Sequence, residues 1–456
     1  MQATTKEERV RKGKELRKKC PRSKQAEWSE SLRLSDPIQL LEDSNNDRIS
    51  DFIPIRYQRM SESPFAFFRG SAIIQARDLA NSPSSGIHVQ VCGDCHLLNF
   101  GGFSTPERNL IFDINDFDET FFAPWEWDIK RLAVSFVLAS RELGFSDKIA
   151  KNAVRRVAVA YRSRMLEFSK MSHLQRWYTK ITIDDLQNFF HKNKKVLKRL
   201  EKSRTKAFSR TSETLFPRIT SLRNGHPKIK DAPPSIYHHH KIDSNLGKKN
   251  YLNYYKSSLQ EDRRTLLDRY RIEDVAIKVV GIGSIGTRCL IALFYADGAE
   301  PLFLQLKEAR RSVLERSDKS IYEHQGYRII QGQRLMQAAS DIFLGWFRSD
   351  TGHDYYVRQF HDMKISPKIE TFKSRDLLDY ATICGWALAR AHSKSGEASI
   401  ISGYLGTSEK FDEALVQYAI DYANQVDLDF KTFKMAIESG RLNTKSKENK
   451  YLEFEM

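Results

Sequence analysis

The chain has no run approaching about eighteen consecutive apolar residues, which argues against a transmembrane helix. Cysteine is scarce, with five in 456 residues. The opening stretch, MQATTKEERVRKGKELRKKC, lacks the apolar core and small-residue cleavage site of an export leader. Together these point to a reducing cytoplasm. No internal repeat is apparent. Acidic residues are the scarcer charge: 58 Asp and Glu against 74 Lys and Arg leave a formal net charge of +16. Such a balance suggests anionic partners, whether nucleotides, phosphorylated substrates, nucleic acid or a membrane surface, without choosing among them. What remains is ordinary for a globular protein, at 40% apolar and 29% charged, and long enough for two or three domain-sized units.

The most informative stretch is Val91–Glu119, VCGDCHLLNFGGFSTPERNLIFDINDFDE. A short strand, His88–Val91, breaks at Gly93-Asp94, and Asn99 follows Asp94 by five positions. A second apolar run, Asn109–Phe112, delivers Asp113, Asp116 and Asp118. Phosphoryl transfer needs a carboxylate to orient the nucleophile and take its proton, and an amide and a carboxylate to hold magnesium. Asp94 fits the base, Asn99 and Asp116 the magnesium ligands, and Asp118 a second metal or substrate contact. Rival readings share these letters. Cys92–His96 spells C-x-x-C-H, a haem attachment pattern that requires export, and C-x-x-C alone suits a thiol redox pair. The plainest alternative is a strand–turn–strand whose Asp and Asn cap turns.

A second stretch changes the balance. Val275–Val280 runs into Gly281-Ile282-Gly283-Ser284-Ile285-Gly286. The commoner reading of G-x-G-x-x-G is a dinucleotide-binding turn opening a helix. Here Cys289–Phe294 follows, β-prone and too short for a crossover helix. Asp297-Gly298 then signals a hairpin into Leu302–Lys307. A glycine loop between antiparallel strands, with a lysine on the third, is the kinase arrangement. Gly281, Gly283 and Gly286 would cover phosphates and Lys307 would neutralise them. Val275–Lys278 spells V-A-I-K but precedes the glycines, so Lys307 is the better lysine by position.

Elsewhere, Lys6–Lys24 reads as a basic helix-prone arm, broken at Pro21 and expected to be a solvated terminus. Pro64–Gly70 leads into a helix, Ser71–Ala80, with Arg69 either a structural hydrogen-bond hub or a phosphate contact. Glu126–Glu142 carries Ile129, Leu132, Ala133, Phe136 and Val137 at the spacing of a core-facing helix. Residues 146–270 read as Lys- and Arg-rich helices that could meet phosphate backbones, although such helices are more often solvated surface. His238-His239-His240 could bind metal, although consecutive histidines seldom converge on one ion. Tyr322–Ser340 is helical, with Glu323 the nearest acidic partner for Lys307 and Gln331 deeper in. Asp341–Trp346 and Tyr355–Gln359 read as strands, His361–Lys364 as a connector and Leu377–His392 as a helix.

SPFAFFRGSA (63–72), CGDCHLLNFG (92–101), NDFDE (115–119), PWEWDIKRLA (124–133), VVGIGSIGTRC (279–289), QLKEAR (305–310) and GQRLMQAASDIFLGW (332–346) resemble the bacterial family known as domain of unknown function 2252. More remotely, Asp94–Asn99 is similar to the H-G-D-x-H-x-x-N loop of aminoglycoside and choline phosphotransferases. That resemblance implies a metal role for Asp116 and a structural role for Asp128 in Trp127-Asp128-Ile129; His96 and Arg69 are candidate supports of the same site. Cys92 stands where those proteins have a bracing His. Ala387–His392 is similar to their L-A-x-L-H helix ending, which there precedes the catalytic loop.

Here the loop comes first. The motif order therefore implies an α+β, two-lobed kinase-like fold in circularly permuted order. Its parts would be an N-terminal arm and helices (1–60), the catalytic-loop half of the large lobe (61–145) and a basic helical bridge (146–270). A small nucleotide-binding lobe (271–365) and C-terminal large-lobe helices (366–456) would follow. The expected function is Mg-ATP-dependent phosphotransfer to an unknown small-molecule or protein acceptor. The alternatives are a nucleotide-binding regulatory module without transfer activity, and nucleic-acid binding through the basic helices.

Overall fold

The helix Glu126–Glu142 shows how the core is organised. Its predicted stripe is buried, and so are its remaining faces from Glu126 to Ser140. The helices Pro64–Gly70, Asp147–Lys170 and Lys410–Glu438 surround it. Even Lys130 lies inside, its ammonium 4.4 Å from the centre of the Tyr418 ring. Small residues serve where helices press closest: Ser374–Ser395 meets Asp147–Lys170 at Gly385, where a Cβ would lie 2.5 Å from the Val157 carbonyl oxygen. The computed structural model describes residues 5–191, 193–233, 235–238, 251–279, 283, 285–296, 300–316, 320–360 and 363–444. The chain is an α+β protein, and no described helix is long and apolar enough to cross a membrane.

Two short antiparallel pairs sit on this helical core. β1 (His88–Val91) pairs with β4 (Phe121–Pro124), and β2 (Phe100–Ser104) with β3 (Leu110–Ile114). A separate hairpin joins β5 (Thr220–Arg223) to β6 (His226–Ile229). The main sheet holds β7 (Ile236–Tyr237), β8 (Arg271–Lys278), β9 (Cys289–Ala296), β10 (Glu300–Glu308), β11 (Gly345–Arg348) and β12 (Asp354–Gln359). Its order is β11-β12-β10-β9-β8-β7, antiparallel throughout. The helix Gln325–Met336 lies between β10 and β11 in the chain and packs on β11 and β12.

Strand periodicity sorts β10 onto two faces. Leu304 and Leu306 join Tyr251, Tyr255 and Leu267 under the helices Tyr251–Ser257 and Glu261–Leu267. Phe303 points the other way, to Ile229 and the partly buried Leu215 and Phe216. Gln305 and Lys307 share that second face.

Three expectations change. Lys6–Lys19 is a helix, but not a free arm. It docks on Ala398–Leu405 at backbone contact: a Cβ on Gly13 would lie 2.1 Å from the Ile400 carbonyl oxygen, and one on Gly403 2.2 Å from that of Val10. Arg17 donates to the Tyr404 carbonyl at 2.8 Å and Arg22 to that of Leu405 at 2.6 Å, satisfying carbonyls that a helix end leaves bare. Pro64–Gly70 is itself a helix, capped by Ser63, before Ala72–Ala80 begins. Residues 146–270 are more than a bridge, since they contribute a core helix, the cover of both sheet faces, and β7. Asp297-Gly298 and His361-Asp362 lie outside the described residues.

Candidate functional site

The loop after β1 turns at Gly93, whose φ is +90°. A Cβ there would meet the Glu119 carbonyl at 2.2 Å, so only glycine fits. Asp128, fully buried in the first turn of its helix, accepts the backbone N–H groups of Cys92 at 2.8 Å and Gly93 at 2.9 Å. His392 Nε2 lies 3.1 Å from the same carboxylate, and Tyr161 O–H 2.8 Å from His392 Nδ1. That chain fixes the tautomer: Nε2–H donates to Asp128 and Nδ1 accepts from Tyr161. The loop is thus braced by Asp128 and His392, with Cys92 serving as core.

Cys92, Cys95 and Asp128 bring their ligand atoms within 4.8 Å of one another. Asp128 is already committed, however, and burial raises Cys92 well above its ordinary pKa and pushes Cys95 up to about 11. Both thiols stay protonated in the core, and neither forms a disulfide.

Asp94 sits on the rim of this loop. Arg131, on the same helix as Asp128, donates from Nε to Asp94 Oδ1 at 2.5 Å. Its other nitrogens are held by Gln75 Oε1 at 3.0 Å and the Phe68 carbonyl at 2.8 Å, with Phe68 stacked beneath at 4.0 Å. Asn99 closes the loop from the far end, Nδ2 donating to the Asp94 carbonyl at 2.6 Å, and so leaves its amide oxygen outside that bond. His96 Nε2 lies 3.7 Å from Asp94 Oδ2. Burial lowers His96 to about 3 despite the attraction of Asp94, so the ring is a neutral neighbour at physiological pH.

The Asp-Phe-Asp turn after β3 comes to the same place. Asp113 is turned away into a buried pair with Arg390 at 2.8 Å. Asp116 Oδ1 accepts the Asp118 N–H at 3.2 Å. Asp118 receives the Lys307 ammonium on Oδ2 and the Tyr356 hydroxyl, at 2.7 Å, on Oδ1. Lys307 is only 4% exposed; burial alone would lower its pKa, but the charges of Asp118 and Asp116 raise it.

Arg328, on Gln325–Met336, fastens the turn by donating to the carbonyls of Thr120 at 2.5 Å, Asp118 at 2.9 Å and Arg310 at 2.7 Å. Glu323 is not at this site. It is exposed ahead of that helix, and its carbonyl accepts from Arg348. Lys278 donates to the Ser235 carbonyl at 3.4 Å and is likewise elsewhere.

Of the glycine turn, Gly283 and Gly286 are described, and Gly281 lies outside the described residues. Arg48 grips this turn, donating to the carbonyls of Ile285 and, at 3.0 Å, Gly283, while the Ile49 N–H reaches the Gly286 carbonyl at 2.9 Å. Gly283 lines one cleft of about 430 Å³ together with Asp94, Asp116, Asp118, Arg69 and Arg310. His238 is tied to Asp231 at 2.7 Å and Asp274 at 3.0 Å, whereas His239 and His240 lie outside the described residues.

Sequence reasoning did not find Arg131, Arg328 or Arg48. PWEWDIKRLA, which contains Arg131, had been singled out, but nothing local shows that this arginine reaches Asp94. The chain is an α+β protein with a cleft lined by carboxylates and arginines beside a glycine turn. Residues 48–436 match the model of a family described as an uncharacterized protein conserved in bacteria (DUF2252), and the chain belongs to that family. No curated protein and no solved structure matches it.

Proposed function

We propose that the chain is a Mg-ATP-dependent phosphotransferase with a kinase-like, two-lobed architecture in circularly permuted order. One observation carries the reading: Lys307 on β10 meets Asp118, 189 residues earlier, at the cleft that also holds Asp94 and Gly283. The strand order supports it. β8 and β9 flank the glycine turn, β10 carries the lysine, and a helix precedes β11 and β12, as expected of a small lobe.

The residues fit the ligand. Asn99 and Asp116 offer oxygen donors, the kind a hard cation such as magnesium takes, and Asp118 would join them by releasing Lys307 or Tyr356. The cleft of about 430 Å³ is of small-ligand size. Magnesium would neutralise charge on the phosphate oxygens. Gly283, Gly286 and Lys307 would hold those phosphates from the sheet side, and Asp94 would take the proton of the acceptor hydroxyl. Arg131 positions Asp94. His96, being neutral, adds no competing charge.

A nucleotide-binding module without transfer is the second reading. It is favoured by the direct hold of Arg131 on Asp94, which engages one of the two carboxylate oxygens a base would use. Titration with Mg and a non-hydrolysable ATP analogue, followed by an ATP turnover assay, separates the two. Binding with turnover supports the enzyme, binding without turnover supports the module, and no binding defeats both.

A further inference from the structure

The cleft is lined by two chemically different sets of residues. Asp94, Asp116 and Asp118 are acidic, and Arg48, Arg56, Arg69, Arg77 and Arg310 are basic. Most of those arginines are engaged by the protein. Arg48 grips the glycine turn, and Arg56 donates to Asn45 at 2.5 Å and to the Gly70 carbonyl at 2.7 Å. Arg69 is different. Among the described residues it makes no hydrogen bond or ion pair, its Nε is buried without a partner, and its nearest ring contact is Phe65 at 5.7 Å. Arg310 has a buried, unpartnered Nε as well, although its Nη2 reaches the Ser44 carbonyl at 3.1 Å.

A guanidinium nitrogen withdrawn from water without a partner is costly, and on these partly buried arginines an anion would complete the site. Among the protein's own carboxylates, Asp47 reaches Arg310 only loosely, with Oδ2 3.8 Å from Nη2 on a largely exposed side chain, and none pairs with Arg69 among the described residues. Glu308 is taken by Arg288 at 3.1 Å, Glu315 by Arg311 at 3.2 Å, and Glu119 by the Val313 N–H at 2.7 Å. Burial lowers the pKa of Arg69, with Asp94 opposing. Arg77 is lowered by burial and by the like charges of Arg316 and Arg311, so positive charge is crowded here.

We propose that this arginine set, centred on Arg69 and Arg310, binds a phosphate group carried by the acceptor and so sets the acceptor's hydroxyl beside Asp94. The assignment to the acceptor rests on the phosphotransferase reading, because the base acts on the acceptor and Asp94 is the carboxylate nearest in influence to Arg69 in this cleft. The presence of an anion site does not depend on it. Phosphate suits the site better than a carboxylate because more than one guanidinium lines the cleft, to match its double charge and three oxygens.

The test is calorimetric titration of the full chain with inorganic phosphate, with acetate, and with Mg and a non-hydrolysable ATP analogue. Phosphate should bind, and Arg69→Gln and Arg310→Gln should each weaken it tenfold or more while leaving analogue affinity within about twofold. Arg69→Lys, which keeps the charge, should recover part of the loss and guards against a misfolded Gln variant, with thermal melts checking all three. Phosphate and analogue should bind together. Phosphate affinity unchanged by both Gln substitutions, or matched by acetate, would overturn the proposal. Competition between phosphate and the analogue, with Arg69→Gln weakening both alike, would assign the arginines to the nucleotide and overturn the acceptor role. Arg69-dependent phosphate binding in a protein that takes no nucleotide would preserve the anion site and remove the phosphotransferase reading.

Discussion

The Lys307 ammonium and the Asp118 carboxylate form an ion pair that joins the main sheet to the turn after β3, with the Tyr356 hydroxyl on the second carboxylate oxygen. Lys307 is nearly sealed from solvent, while the Asp118 side chain is 25% exposed. Removing one partner leaves the other charge poorly compensated. Lys307→Met and Asp118→Asn should each destabilise the protein by about 1–3 kcal/mol, less than for a fully buried pair. Urea unfolding of both single variants and the double variant reads this directly. Additive losses would mean that the two residues do not interact in solution. If the phosphotransferase reading holds, Lys307→Met also weakens Mg-nucleotide binding.

Asp94 separates enzyme from binding module. The base acts on the acceptor, so Asp94→Asn should keep nucleotide affinity within a few-fold and lower turnover by roughly 10²-fold or more. Arg131 retains Gln75 and the Phe68 carbonyl in that variant, so the fold should survive. Slow ATP hydrolysis or autophosphorylation serves as readout without knowledge of the acceptor. Equal turnover in wild type and variant would take Asp94 out of the mechanism.

Asp128 should matter through structure. It holds two backbone N–H groups and His392 with no solvent contact. Asp128→Ala should cost about 3 kcal/mol or more in urea unfolding, by stranding those donors. Hydrogen exchange of the Cys92 and Gly93 amides should accelerate with it. Protection unchanged at both amides would contradict the bracing role.

His96 predicts an acid-side effect. Its folded pKa of about 3 lies below the ordinary value of 6.5, so the unfolded chain binds more protons between those limits. Stability must therefore fall as pH drops from about 6.5 toward 3, and His96→Asn should make that fall shallower. Melting curves of both proteins across this range give the comparison. Parallel profiles would mean that the ring titrates equally in both states.

The Gly13 contact predicts a sign opposite to helix propensity. Alanine is intrinsically better than glycine inside a helix by about 1 kcal/mol. At Gly13 its Cβ would strike the Ile400 carbonyl, which is backbone and cannot turn aside. Gly13→Ala should thus destabilise by about 1–3 kcal/mol, the usual cost of overpacking. A gain in melting temperature would mean that the N-terminal helix is not docked.

Local chemistry was legible in the chain itself. Short apolar and β-prone runs marked β1, β8, β9, β10 and β12, and the 3–4 spacing marked Glu126–Glu142, because each pattern reports the conformation of its own segment. The Asp94 to Asn99 spacing likewise foretold a closed loop, since its closing bond spans five residues. Tertiary structure alone decided the rest. Lys307 was expected beside Glu323, yet its partner is Asp118, and no local signal chooses between two carboxylates so far apart in sequence. Arg131, Arg328 and Arg48 look like surface arginines in the sequence, and become the clamps on Asp94, the Asp-Phe-Asp turn and the glycine turn only once distant backbone carbonyls and carboxylates are brought to them. The basic N-terminal segment read as solvated for the same reason: its fate turns on two glycines, Gly13 and Gly403, that meet only when both helices are in place. Spacing encodes bonds made within a few residues, whereas a partner hundreds of residues away is chosen by packing of the whole chain.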